Sequence, residues 1–323
     1  MVRRIATVLV LAAALAGGAV LAVRSGALTP SDDYLKMRYT DARSRFVTVD
    51  GVPIHVVEEG RGPALILLHG HLGSARQFEG WADVLREDFR VIRPDVPPYG
   101  LSGPDPTGDF SGERQYQLMR RFIEDLVTDG GYERLYIGGT STGSILAMRY
   151  AAEHPDRVEK LLLSTVPAYT PGARVPPPLA FSALAWLSAN VLNGYTPDVY
   201  WRLFLENIFG QDDRVTALMV QSYADLNNRK NAAASAEASI MSKVRNPFDT
   251  AAIAARVTAP TLIQWAGQSP VLGADGLDQV TGMLTSAPLT TIRYPDLGHK
   301  LMVEDPARTV ADARAFLAGS PAE

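Results

Sequence analysis

The chain has 323 residues, 46% of them apolar and 20% charged, with a formal net charge of −4 and no cysteine. This length suits one large domain with an insertion or two modest ones, and the composition is that of a folded chain rather than a disordered one. Disulfides, thiolate catalysis and thiolate metal sites are excluded, no basic block suits a nucleic-acid partner, and histidine chemistry must come from His55, His69, His71, His154 or His299.

Arg3 and Arg4 precede an uncharged stretch, residues 5–23, that Arg24 closes. Nineteen helical residues span roughly 28 Å, against a hydrocarbon core of about 30 Å. A signal-peptide core is shorter, about 7–15 residues, so residues 1–24 read as an uncleaved transmembrane anchor, with secretion after signal cleavage as the alternative. The arginine pair favours a cytoplasmic N terminus and so puts the rest on the periplasmic or extracellular side. Residues 25–44 are polar and read as a juxtamembrane linker with a short helical turn.

From residue 45 the chain alternates. Asp50-Gly51 between two β-rich runs predicts a hairpin. Residues 64–68 are a continuous apolar run, the pattern of a strand buried on both faces. Val91-Ile92 reads as another strand. Residues 112–128 have helical spacing, with Tyr116, Met119, Phe122, Ile123, Leu126 and Val127 on one side. A strand at 135–137, a helix at 144–152 and a buried strand at 158–163 follow. Residues 167–257 show no strand pattern and are rich in aromatic residues. Strands return at 261–263 and 289–294, and a helix capped by Asp305 and Pro306 ends the chain. Alternation of this kind predicts a mostly parallel sheet covered by helices on both faces. The segments are then an anchor at 1–24, a linker at 25–44, a core in two parts at 45–166 and 258–323, and a helical cap at 167–257.

Gly139-Thr140-Ser141-Thr142-Gly143 joins a strand to a helix. Such a turn exposes the serine hydroxyl on a strained bend, and small neighbours let the backbone fold that tightly. Serine is a poor nucleophile at neutral pH and needs an adjacent base. His299, in a short loop after the last strand, is the candidate.

With these blocks in place the chain resembles the α/β-hydrolase superfamily, in its capped branch of esterases and carbon–carbon bond hydrolases. The resemblance covers roughly residues 45–318. It rests on Leu67-Leu68-His69-Gly70-His71, on the loop 95–102 (Asp95 to Ser102, with Pro98 where glycine is usual), on the Ser141 elbow, and on Gly298-His299 followed by Glu304 and Pro306. It implies the α/β-hydrolase fold, Ser141 as nucleophile, His299 as base, and the backbone N–H groups of His71 and Thr142 as oxyanion donors. No metal or cofactor is implied. The partner is a small-molecule substrate, apolar by analogy with capped relatives; nothing specifies an oligomeric state.

The third triad member departs from the pattern. Where the family reads W-G-x-x-D, this chain reads Trp265-Ala266-Gly267-Gln268-Ser269, and the family's alternative acid position holds Thr165. Three readings stay open. A nearby carboxylate substitutes, Asp275 first, then Asp278 or Asp296. Ser269 itself bonds His299 in a dyad. Or the protein binds a ligand without turning it over. The activity expected is hydrolysis of a carboxylic ester or similar acyl bond through an acyl-enzyme. The alternatives are a carbon–carbon bond hydrolase acting on ring-cleavage products and a non-catalytic binding protein.

Overall fold

Asp50 and Gly51 both take positive φ, 49° and 77°, and close a two-residue hairpin between β1 (Ser44–Val49) and β2 (Val52–Glu59). The computed structural model describes residues 14–15, 17–167, 179–273 and 275–319. Six further strands complete the sheet: β3 (Ala64–Leu68), β4 (Arg90–Pro94), β5 (Leu135–Thr140), β6 (Val158–Ser164), β7 (Thr261–Ala266) and β8 (Leu289–Tyr294). Their order is β1-β2-β4-β3-β5-β6-β7-β8. Pairing is antiparallel for β1 with β2 and β2 with β4, and parallel from there on. The expected α/β-hydrolase architecture is present.

Among the described residues past position 31 the helices are α1 (Asp32–Tyr39), α2 (Glu79–Leu85), α3 (Gly112–Gly130), α4 (Thr142–Glu153), α5 (Leu179–Asn190), α6 (Asp198–Ile208), α7 (Ala217–Asn227), α8 (Ala232–Arg245), α9 (Thr250–Ala254), α10 (Gly276–Met283), α11 (Leu301–Glu304) and α12 (Pro306–Ala318). β3 is buried along its whole length, and its side chains alternate between two cores. Ile66 and Leu68 pack under α3, α4, α9 and α10. Leu65 and Leu67 pack under α2 and α12. α3 starts on the Ser111 side chain, which accepts from Arg114 N, and stops at Gly131 with φ 65°.

Between β6 and β7 the described residues form helices α5 to α9 and no strand. Trp201, Leu205, Ile208, Phe209, Val215, Val220 and Ala224 give this segment a core of its own. It is fastened to the sheet by polar contacts: Arg229 donates to the carbonyls of Pro98 and Ser102, both at 2.5 Å.

Residues 25–44, expected as a linker, carry the ordered helix α1. Ser31 caps it, and Leu35 is fully buried against Leu101 and Leu226. Tyr34 and Tyr39 donate to Asp225 Oδ2 of α7 at 3.3 and 2.7 Å, and Arg38 donates to Gln221 at 2.8 Å. The short helical turn expected there is a helix of 8 residues packed on α7, and a short polar helix with one buried leucine has no periodicity to show its length. Most of the apolar stretch 5–23, read as a transmembrane helix, lies outside the described residues. Among those described, no helix is long and apolar enough to cross a membrane.

Candidate active site

Ser141 sits between β5 and α4 at φ 52°, ψ −125°, a strained conformation for a residue with a Cβ. Its surroundings hold that geometry. Ser141 N donates to Ser164 O at 3.0 Å, and Ser144 Oγ donates to Gly139 O and Ser164 O at 2.7 and 2.9 Å. A Cβ on Gly139 would stand 2.4 Å from the Gly143 carbonyl, and one on Gly143 would stand 2.2 Å from Leu68 O. The two glycines are steric requirements of the elbow.

The turn after β3 faces the elbow; a Cβ on Gly70 would lie 2.9 Å from that of Ser141. His69 is a strut of this turn. Its Nδ1 donates to Gly70 O and its Nε2 accepts from Val96 N, both at 2.8 Å, which fits a neutral ring, and burial pushes its pKa down to about 4. His71 Nδ1 lies 2.6 Å from the Tyr99 hydroxyl, and burial, with Lys243 and Lys300 nearby, pushes its pKa down to about 3. Thr142 opens a helix, so its N–H has no intrahelical acceptor.

Asp95 braces the turn from behind. Its carboxylate meets His55 Nδ1 at 2.8 Å, Ala75 N at 2.6 Å and Leu101 N at 2.7 Å. Burial opposes its charge, but these bonds, His55 foremost, hold its pKa below the ordinary carboxylate range. Gly100, at φ 58°, leaves room for this carboxylate; a Cβ there would stand 2.2 Å from it.

His299 is 5% exposed, and its Nδ1 lies 2.9 Å from Ser269 Oγ. Ser269 Oγ also accepts from Val271 N at 3.3 Å. His299 N donates to Ile208 O at 2.6 Å, and Glu304 accepts from Gly298 N, Lys300 N and Gly210 N at 2.9, 3.2 and 2.8 Å. One carboxylate thus ties the histidine loop to the end of α6. Burial pushes the His299 pKa down to about 3, with Lys300 adding to the effect.

The candidate acids lie elsewhere. Asp275 is exposed at the start of α10. Asp278 is 82% exposed and faces Arg293 at 3.5 Å. Asp296 pairs with Arg308 at 2.9 Å on the surface. No described carboxylate bonds a His299 ring nitrogen; of the expected partners, Ser269 is the one in contact. The Thr165 hydroxyl bonds that of Thr140 at 3.0 Å.

Two lysines that the sequence does not single out face this region. Lys243 of α8 is 8% exposed and Lys300 is 3% exposed. Neither ammonium has a hydrogen-bond or ion-pair partner among the described residues, and burial pushes both pKa values down to about 8. A lysine within a helix ordinarily reads as part of a solvated face, so the sequence carries no signal for Lys243.

Comparison with known proteins agrees with this fold. Residues 63–306 match the model of the alpha/beta hydrolase fold family. The chain is 26% identical over 262 residues to Lipase 3 of Moraxella sp. (strain TA144), covering 80% of this chain and 78% of the lipase. It is 25% identical over 259 residues to the pimeloyl-[acyl-carrier protein] methyl ester esterase of Nitrosomonas europaea, covering 80% of this chain and 97% of the esterase. A solved membrane phospholipase A, described as a bacterial virulence factor, superposes with a TM-score of 0.68 at 22% identity over 98% of both chains, a likeness of fold. A family match over more than half the chain, with the elbow at Ser141 and the histidine loop on one sheet, makes this protein a hydrolase belonging to the α/β-hydrolase family.

Proposed function

We propose that the protein hydrolyses a carboxylic ester or similar acyl bond through an acyl-enzyme on Ser141, with His299 as general base and Ser269 as its hydrogen-bond partner in place of a carboxylate. The observation that carries this is the strained Ser141 backbone, a conformation that costs about 1–3 kcal/mol and is that of a nucleophile on a tight strand-to-helix turn. In this reading His299 Nε2 takes the Ser141 proton as Oγ attacks the acyl carbon. The N–H groups of His71 and Thr142 hold the oxyanion, and His299 returns the proton to the leaving alcohol. Water then repeats the sequence on the acyl-enzyme.

Ser269 sets the rate in this reading. An aspartate only accepts, so it fixes Nδ1–H and leaves Nε2 free to take a proton. A serine hydroxyl either accepts from Nδ1–H or donates to Nδ1, and the second arrangement leaves Nε2 protonated and inert. It also brings no negative charge to balance the imidazolium. A hydrolase with low turnover follows.

The same feature favours a second reading, ligand binding without turnover. Fluorophosphonate labelling decides between them. Labelling of the parent that is abolished by Ser141→Ala and slowed by His299→Ala supports the hydrolase; a folded parent that never labels supports binding alone. The uncharged stretch 5–23 supports, by its length, a membrane tether, and Arg3 and Arg4 before it favour the non-cytoplasmic side for the catalytic domain.

A further inference from the structure

The Lys243 stem packs beside Gly112 and Phe248, with Cγ 3.5 Å from where a Gly112 Cβ would stand. Its ammonium lies 5.8 Å from the centre of the Tyr99 ring, and Tyr99 in turn bonds His71. Lys243 lines a small cavity together with Gln115, Thr142, Asn246 and Phe248. That cavity leaves ≈20 Å³ for the centre of a water-sized sphere, room for a group of one or two waters' bulk. Thr142 follows Ser141 in the elbow, so one wall of the cavity is the residue next to the nucleophile.

A buried ammonium with no counter-ion costs several kcal/mol, and natural proteins pair such charges or use them. No described carboxylate acts on Lys243, and Lys300 is equally unpaired among the described residues. Lys243 therefore lines a space that it shares with Thr142, the residue after the reacting serine, and no group among the described residues balances its charge. We infer that this cavity is a subsite for a carboxylate carried by the substrate, with Lys243 as the group that recognises it. The substrate is then an ester whose apolar part ends in an acid, placed within reach of Lys243 when the acyl carbon meets Ser141. Gln115 does not compete as the recognising group, because its amide already donates to Pro97 O and Ser239 Oγ at 2.7 and 3.0 Å. The inference rests on Ser141 being the nucleophile.

The test compares two esters of equal chain length, p-nitrophenyl hexanoate and the p-nitrophenyl hemiester of adipate, with the full-length parent, Lys243→Met and Lys243→Arg. The parent should favour the anionic ester in kcat/KM by about tenfold or more. Lys243→Met should lose that preference, read as the ratio of the two kcat/KM values in each variant, and Lys243→Arg should keep part of it. Equal selectivity in parent and Lys243→Met overturns the subsite. Fluorophosphonate labelling, which needs no anion, is run on every variant, so a labelled enzyme without anionic preference is distinguished from an unreactive serine. Calorimetric titration of Ser141→Ala with adipate, with and without Lys243→Met, reads binding independently of turnover. Binding lost on Lys243→Met supports the subsite, and binding that is absent or unchanged by that substitution overturns it.

Discussion

Ser269 and His299 form a pair whose orientation a single substitution can reverse. Ser269→Asp places an obligate acceptor 30 positions before the base, at the spot where Oγ now sits 2.9 Å from Nδ1. It should raise the fluorophosphonate labelling rate and kcat/KM by about tenfold or more, since a misheld tautomer costs up to about 10⁴ in a serine-protease triad. Ser269→Ala should slow labelling only a few-fold, because the partner it removes holds the base weakly. Asp275→Asn, at an exposed helix start, should change neither rate. Stopped-flow or gel-based labelling kinetics read all three. Sequence and structure meet unevenly at this scale. Ser141 is legible because the strained turn demands Gly139 and Gly143, which leave a trace in the sequence. Asp275 looks attractive by its nearness in sequence to the missing aspartate, yet only the loop's path places it on the surface. Lys243 is illegible, since what turns it inward is the packing of α8 against α3.

The histidine loop and the cap meet backbone to backbone. Gly298 and Gly210 each lack space for a Cβ, which would stand 2.3 Å from Gly210 N in one case and 2.6 Å from Asp296 O in the other. Glu304 bridges them, and burial raises its pKa against the pull of three N–H donors. Glu304→Gln replaces one accepting oxygen with a donor facing N–H groups. It should cost about 1–3 kcal/mol in stability and lower labelling of Ser141, as the loop shifts the base. Urea unfolding and labelling kinetics on the same variant check both effects. Strand order and the parallel core were foreseeable from apolar runs separated by helical periods, because burial on both faces writes itself as unbroken hydrophobicity. The clasp between elements far apart in sequence was not, since a lone glutamate and two glycines carry no such pattern.

Buried histidines and lysines shape how the whole molecule responds to pH. His69, His71 and His299 have pKa values lowered to about 4, 3 and 3. Below pH about 6.5 the unfolded chain takes up protons that the native one refuses, so stability should fall steadily as the pH drops toward 4. Lys243 and Lys300, lowered to about 8, act in a second window. Between pH about 8 and 10 the unfolded chain keeps protons that the native one releases, so stability should rise there. The urea midpoint should be higher at pH 9.5 than at 7.5, and Lys243→Met should reduce that difference. A midpoint that falls from 7.5 to 9.5 in the parent contradicts the buried, unpaired state of both lysines.

The contact between α1 and α7 governs which fragments of the protein remain worth making. Fragments cut at residue 40 to remove the apolar N terminus lose Leu35 from its pocket and both tyrosines from the half-buried Asp225. Such a fragment should melt several degrees lower than one starting at residue 25. It should also lose its cap order first, seen as faster proteolysis within 217–227 while the sheet stays intact. A useful soluble fragment must therefore begin before Ser31, and the few residues that look dispensable on a sequence map anchor α7.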